Sequence, residues 1–160
     1  MTEAVFLDHI NQSRSLIWKL LHLYLQSDEE KNDMFQEVVL NCWSGRMNFR
    51  GDSKVSTWIY KVALFTILSL KRKTYKQQYV ELSVNESLKL VSDNEYMADQ
   101  SEALFQAVQR LKEADKTIIT MHLDGFSNPE IAEFLGVPTN NLNVKLHRIK
   151  ELLKKRLTNE

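Results

Sequence analysis

One cysteine, two prolines and four glycines stand among 160 residues, so the chain has few of the residues that most constrain a backbone. The lone Cys42 excludes an internal disulfide and any multi-cysteine zinc site, and suits a reducing compartment. So little Gly and Pro argues against a turn-rich β fold and for long helices. Long apolar runs are missing too: "VALFTILSL", residues 62–70, is far too short to span a bilayer. The start "MTEAVFLDHINQSR" lacks the basic-then-apolar order of a signal peptide. The expectation is a soluble cytoplasmic protein with no membrane insertion.

Signatures of catalysis are also absent. His9, His22, His122 and His147 fall in no metal-ligand spacing, and no P-loop or dinucleotide glycine pattern occurs. Asp28, Glu29, Glu30 and Asp33 cluster without a partnering His, Ser or metal motif, and an acidic helix start favoured by the helix dipole accounts for them. The expectation is no enzyme, no catalytic residue, no metal and no cofactor.

What the chain does have is segregated charge. The formal net charge is zero, yet residues 1–41 carry −4, 42–80 carry +7, 81–104 carry −5, 105–137 carry −2 and 138–160 carry +4. Two basic patches flanking an acidic stretch suggest two anion-binding faces and a connector, although two solvated helix faces give the same counts.

Apolar periodicity places helices along most of the chain. Val5, Phe6, Ile10, Ile17, Leu20, Leu21, Tyr24 and Leu25 fit helical spacing. Ser27 and Glu30 read as a capping box opening a helix that turns Met34, Phe35, Val38, Val39 and Cys42 inward and ends near Gly45. After the polar loop "NFRGDS", Ser53 or Ser56 can cap a helix through Trp58, Ile59, Val62, Ala63, Thr66, Ile67 and Leu70 that finishes in "KRKTYK". Periodicity fades over residues 77–99, read as a linker with a short helical piece around 86–91 or a strand at 79–84. It resumes with Leu104, Phe105, Val108 and Leu111, then Ile118, Ile119, Met121, His122 and Leu123. The fold class expected is all-α: two small helical domains joined by a linker.

The segment "GFSNPEIAEFLGVPTNNLNVKLHRIKELLKKRL", residues 125–157, reads as a helix-turn-helix. Ser127 and Glu130 form a capping box, with Pro129 tolerated in the first turn. Ile131, Ala132 and Leu135 face inward, and Gly136 sits where the inter-helix turn needs a left-handed residue. The next helix starts near Pro138 or Thr139 and buries Leu142, Leu146, Ile149 and Leu153. It shows Asn140, Asn141, Asn143, Lys145, Arg148 and Lys150 on its other face. In such a motif the second helix enters the DNA major groove, where Asn pairs with adenine edges and Lys with guanine acceptors or phosphates. A plain αα-hairpin with a polar face is the plainer reading.

Residues 110–157, "RLKEADKTIITMHLDGFSNPEIAEFLGVPTNNLNVKLHRIKELLKKRL", resemble the C-terminal promoter-binding domain of the extracytoplasmic-function (ECF) sigma factors of bacterial RNA polymerase. The matching features are the Ser–x–x–Glu–Ile–Ala–x–x–Leu–Gly core and a closing helix with Leu146, His147, Arg148, Ile149 and Lys150, then Leu153. The N-terminal half resembles the same family independently. "FRGDSKVSTWIYKVALFTILSLKRK" is similar to its second conserved domain through Phe49, Arg50, Gly51, Ser53, Thr57, Trp58, Tyr60, Lys61 and Ala63. "NDMFQEVVLNCW" is similar to the helix that docks on the polymerase clamp.

The resemblance implies a sigma factor that binds core RNA polymerase through the β′ clamp and β flap, recognises −10 and −35 promoter elements, and answers to an anti-sigma factor. It divides the chain into residues 1–76, a linker 77–99, and residues 100–160 with the helix-turn-helix. Core docking falls on Asp33, Gln36, Glu37 and Leu40. The −10 element falls to Phe49, Arg50, Gly51, Asp52, Ser53, Trp58, Lys61, Lys71, Arg72 and Lys73, with Arg46 and Lys54 as further phosphate contacts. The −35 element falls to Ser127, Thr139, Asn140, Asn141, Asn143, Lys145 and Arg148. Promoter opening needs a base drawn from the stack and cations along the single strand, which a polar Gly loop beside Trp58 and a basic helix end supply. Trp58 and Tyr60, two apart on one helix, cannot both point outward, so one belongs to the core.

Three departures from the family pattern carry expectations. Phe65 stands where an Asn is common, which moves −10 readout toward the loop at residues 49–53. Asn143–Val144 replaces a common Lys–Ser pair, which alters the preferred −35 sequence. Leu111–Lys112 replaces Leu–Pro, which predicts a looser helix start. The alternative function is a helix-turn-helix regulator whose N-terminal helices dimerise or sense a signal.

Overall fold

The structure, a computed structural model, describes the backbone of residues 1–78 and 100–158 and the side chains of 1–71 and 101–158. Every regular element among them is helical. Residues 79–99 of the linker expected at 77–99, with its helical or strand alternatives, lie outside the described residues. The chain divides into two compact units, Met1–Asp93 and Asn94–Glu160.

In the first unit, the opening apolar segment forms two helices, α1 (Glu3–Gln12) and α2 (Arg14–Tyr24), separated at Ser13. Ser13 leaves helical geometry at ψ 2° while its N–H still reaches the His9 and Ile10 carbonyls. Phe6, Ile10, Ile17, Leu20, Leu21, Leu23 and Tyr24 enter the core, but Val5 points outward. Helix α3 (Asp28–Gly45) opens on Ser27, whose hydroxyl accepts the Glu30 N–H at 3.1 Å. This is half of the expected capping box. The Glu30 side chain does not close the other half, and the acids of the first turn supply the dipole complement instead.

A 3-10 turn (Arg46–Asn48) and a loop lead into α4 (Val55–Gln78), which covers the first two residues of the expected linker. Neither Ser53 nor Ser56 caps it. The helix begins between them at Val55, the Trp58 N–H reaches the Lys54 carbonyl, and the Ser53 hydroxyl donates to that same carbonyl. Met34, Val38 and Cys42 on α3 and Ile59, Tyr60, Ala63, Leu64 and Ile67 on α4 are buried, and these two helices share the most extensive contact of this unit. Asn41 adds a cross-helix bond, donating its amide to the Thr66 hydroxyl at 2.9 Å. Thr66 in turn donates to the Val62 carbonyl at 2.7 Å, so its buried oxygen is satisfied on both sides. Trp18 of α2 stacks on Phe35 of α3 with centroids 5.1 Å apart and planes 11° from parallel.

The second unit contains α5 (Gln100–Gln109), α6 (Glu113–Leu123), α7 (Asn128–Leu135) and α8 (Thr139–Thr158). Helix α8 packs against all three of the others. Its buried stripe is Leu142, Leu146, Ile149 and Leu153, each worth roughly 1.5–3 kcal/mol when removed from water. Ile118, Ile119 and Met121 of α6, Ile131 and Ala132 of α7, and Ala107, Val108 and Leu111 join it in the core, with Leu135 half-buried. Leu123, expected inside, is exposed. It is the last residue of α6, and the chain turns away at Asp124–Gly125.

Candidate nucleic-acid interface

The turn between α7 and α8 fixes the geometry of the basic C-terminal helix. The Ser127 hydroxyl accepts the Glu130 N–H, and the Glu130 carboxylate accepts the Ser127 N–H at 3.2 Å, a complete capping box. Gly136 closes α7 at φ 69°, ψ 34°, the left-handed region in which a side chain is strained. The Gly136 N–H reaches the Glu133 carbonyl and the Val137 N–H reaches that of Ala132, which ends α7 and launches α8.

With the stripe from Leu142 to Leu153 buried, the opposite face of α8 is presented outward. Thr139, Asn140, Asn141, Asn143, Lys145, Arg148 and Lys150 are all exposed, as is Ser127 ahead of α7. At 100° per residue, Asn140, Val144, Arg148 and Glu151 form the outermost line. Asn143 and Lys150 lie on one flank, with Asn141 and Lys145 on the other. Val144, absent from the expected site, is 60% exposed in the middle of that line. An apolar group at such a place suits the methyl of a thymine. Behind the face, His122 of α6 is held below the usual imidazole range by burial and by the charge of Lys150.

A further contact that the sequence reading missed joins the two helices. The Asn128 side-chain amide donates to the Asn143 side-chain oxygen, Oδ1, at 2.8 Å. The available signal was positional, since the first residue of the leading helix lies beside the early turns of the second.

In the first unit, the expected −10 residues Phe49 to Ser53, Trp58 and Lys61 lie at the loop and the start of α4, whereas Lys71, Arg72 and Lys73 lie in the distal half of that helix. Arg50, Gly51, Asp52 and Ser53 are exposed, with Gly51 at φ 79°, while Phe49 and Trp58 are half-buried. Their rings lie 5.5 Å apart and tilted by 47°. Trp58 also approaches the end of α3 closely, since a Cβ on Gly45 would lie 3.4 Å from the indole. Of the Trp58 and Tyr60 pair, Tyr60 is the core member, at 2% exposure. Lys61 is half-buried on the outer side of α4, near exposed Phe65. The Lys71 ammonium stands 5.7 Å from the Tyr24 ring centroid. Arg72 and Lys73 lie in α4, but their side chains fall outside the described residues.

Arg46, expected as a further phosphate contact, is half-buried. Its guanidinium lies 3.3 Å over the Trp43 ring and donates to the Trp43 carbonyl at 2.6 Å, so it serves the end of α3. The expected docking residues Asp33, Gln36, Glu37 and Leu40 are all exposed. Their i, i+3, i+4, i+7 spacing puts them on one face of α3, opposite Met34, Val38 and Cys42.

Among the described residues, no helix is long and apolar enough to cross a membrane.

Comparison with known proteins agrees with this two-part organisation. Residues 9–77 match the family model for sigma-70 region 2, and residues 101–153 match that for sigma-70 region 4. The chain is 32% identical over 136 residues to the RNA polymerase sigma factor YlaC of Bacillus subtilis, covering 81% of this chain and 79% of that one. It is 25% identical to the ECF RNA polymerase sigma factor SigW of Bacillus subtilis, covering 97% and 90%. A similar fold occurs in the sigma factor RpoE of Bartonella quintana, solved with the anti-sigma factor NepR (TM-score 0.71, 14% identity, 96% of each chain). CnrH, solved with the cytosolic domain of CnrY, is also similar (TM-score 0.65, 14% identity, 99% of this chain and 91% of that one). With region 2 ahead of region 4, a 32% identical sigma factor relative covering four-fifths of its length and an ECF relative covering nearly all of it, the chain belongs to the ECF group of the sigma-70 family.

Proposed function

We infer that this chain is a promoter-recognising initiation factor that docks on core RNA polymerase and directs it to DNA with both of its units. The observation that carries the reading is the outward face of α8, where Asn140, Asn141, Asn143, Lys145 and Arg148 are all exposed while Leu142, Leu146, Ile149 and Leu153 are buried. That division presents hydrogen-bonding and cationic groups to a major groove and anchors the helix from behind.

Residues 1–76 carry polymerase docking and the −10 element, and residues 100–160 carry the −35 element. Asp33, Gln36, Glu37 and Leu40 form the docking face toward the β′ clamp. The 49–53 loop with Trp58 and Lys61 holds the opened strand, with Lys71, Arg72 and Lys73 tracking phosphates. The helix-turn-helix, set over the β flap, reads the −35 bases through Asn143 and Lys145. Ser127, Thr139 and Arg148 hold phosphates, which fix register without reading sequence. The chain contributes binding, the chemistry belongs to the polymerase, and the place of action is the cytoplasm. An anti-sigma protein is the expected negative partner, as the Bartonella quintana sigma factor was solved with one.

Reconstitution with core polymerase and transcription from a promoter library tests this reading. Polymerase-dependent initiation from a shared pair of elements is the expected result. Sequence-specific DNA binding that neither needs nor recruits polymerase would instead identify a stand-alone helix-turn-helix regulator.

A further inference from the structure

We propose that Asn128 is a positioning residue for Asn143, so that two amides on different helices act as one base-reading unit; the inference rests on the promoter-binding reading of α8. The Asn128 amide nitrogen lies 2.8 Å from the Asn143 side-chain oxygen, Oδ1, fifteen positions away in sequence. Both backbones are fixed independently of that contact. The complete capping box of Ser127 and Glu130 holds the first turn of α7, where Asn128 is the first residue. Leu142, fully buried, anchors the α8 backbone immediately before Asn143.

The terminal torsion of an asparagine is broad and nearly two-fold, so an exposed amide alone samples both edges. The bond from Asn128 removes that ambiguity by turning the Asn143 carbonyl toward α7. The carbonyl oxygen has two lone pairs, and Asn128 occupies one. The second lone pair and the amino group remain, the set that pairs with N6 and N7 of an adenine. Ordering that edge before DNA arrives lowers the cost of ordering it on binding. Asn128 therefore contributes to specificity without touching a base.

The test uses polymerase reconstituted with the full chain and templates randomised across the −35 segment, scoring preference at each base pair as well as total binding. Asn143→Ala is expected to lose roughly 5- to 150-fold preference at one base pair. Asn128→Ala should lose a smaller part of the preference at that same base pair, and the double variant should lose no more than Asn143→Ala alone. Asn128→Asp, which accepts instead of donating, should draw in the Asn143 amino group and change which base is preferred there. Circular dichroism on each variant verifies retained helicity. Preference changed by Asn143→Ala but untouched by both Asn128 variants overturns the pairing and leaves the promoter reading intact. Uniform weakening by Asn128→Ala, additive with Asn143→Ala, overturns it as well. A wild-type chain with no −35 preference at all removes the promoter reading and the pairing together.

Discussion

Phe49 and Trp58 lie with ring centroids 5.5 Å apart, which ties the exposed loop at residues 50–53 to the first turn of α4. The same indole packs near Gly45, so one side chain connects the end of α3, the loop and α4. Trp58→Ala removes that junction and is expected to cost roughly 2 kcal/mol, below the 3–5 kcal/mol of a fully buried large aromatic. Opening of promoter DNA should fall while duplex binding through α8 persists. Permanganate reactivity of thymines in the opened segment measures this. Normal opening by a folded Trp58→Ala variant would show that the indole is structural only, and Trp58→Phe should recover most of the loss.

Polymerase docking is assigned to a face that the fold does not need. Asp33, Gln36 and Glu37 are exposed on the side of α3 opposite its buried stripe. The triple alanine variant should therefore keep its helicity, with each change within about 0.5 kcal/mol of neutral. Its binding to core polymerase, followed by co-sedimentation, should be lost or strongly reduced. Full binding by the folded triple variant would move docking elsewhere, and Leu40→Asp is the next variant on the same face.

Sequence periodicity made most of the helices legible because a buried stripe recurs at helical spacing. Leu142, Leu146, Ile149 and Leu153 are buried as that spacing requires. Its failures are at ends and joints. Periodicity carries through Ser13 because α1 and α2 both turn apolar residues to the same core, and the break is a backbone event that no side-chain pattern records. Leu123 was misplaced because a final helical residue is free of the stripe. Charge counts could not separate the arginines either: Arg46 and Arg50 look alike in sequence, yet the first lies over Trp43 while the second is exposed. The Asn128–Asn143 bond joins residues on different helices, so only the turn geometry set by Gly136 brings it into view.

Arg148 is exposed on the outer face of α8, and its guanidinium is assigned to a phosphate contact. Arg148→Ala should weaken all promoter sequences about equally and lower the salt dependence of binding by about one unit of slope. Lys145→Ala, on the flank, should alter which −35 sequences are used, since a base contact is worth roughly 1–3 kcal/mol. Titrations at several salt concentrations, on matched and mismatched −35 sequences, separate the two. If Arg148→Ala shifts preference and Lys145→Ala does not, the helix is rotated from this assignment.

Lys112 sits just before α6 at φ −59°, ψ 151°, and its side chain makes no capping bond. Its carbonyl accepts the Lys116 N–H at 2.8 Å, and the Thr117 hydroxyl donates to the Glu113 carbonyl at 3.0 Å in the same turn. That φ lies inside the range fixed by a proline ring. Lys112→Pro should thus restrict the unfolded chain without straining the folded one, and stabilise by about 0.4–1 kcal/mol. Thermal unfolding of the two chains checks it, with a rise of a few degrees expected. A lower midpoint would mean that the lysine N–H or side chain is needed where it stands.

Cys42 faces the α3–α4 core with no exposed surface, and desolvation by burial pushes its thiol up from 9.0 to about 12. Two consequences follow from the neutral thiol. The thiolate is the reactive form, so alkylation at pH 8 should proceed only as fast as the core opens, whereas the unfolded chain should react at once. The linkage has a definite sign, because the folded state keeps its proton to higher pH than the unfolded state does. The contribution to stability is therefore complete below pH 9 and is lost as pH rises from about 9 toward 12. Cys42→Ala leaves a small void in place of the sulfur and should lower stability at neutral pH, yet flatten the alkaline decline. Urea unfolding of both chains at pH 7.5 and pH 10.5 measures the difference. Parallel declines in the two chains would place the alkaline sensitivity elsewhere, and rapid alkylation of the native protein would show that the α3–α4 core opens near Cys42 far more often than its packing implies.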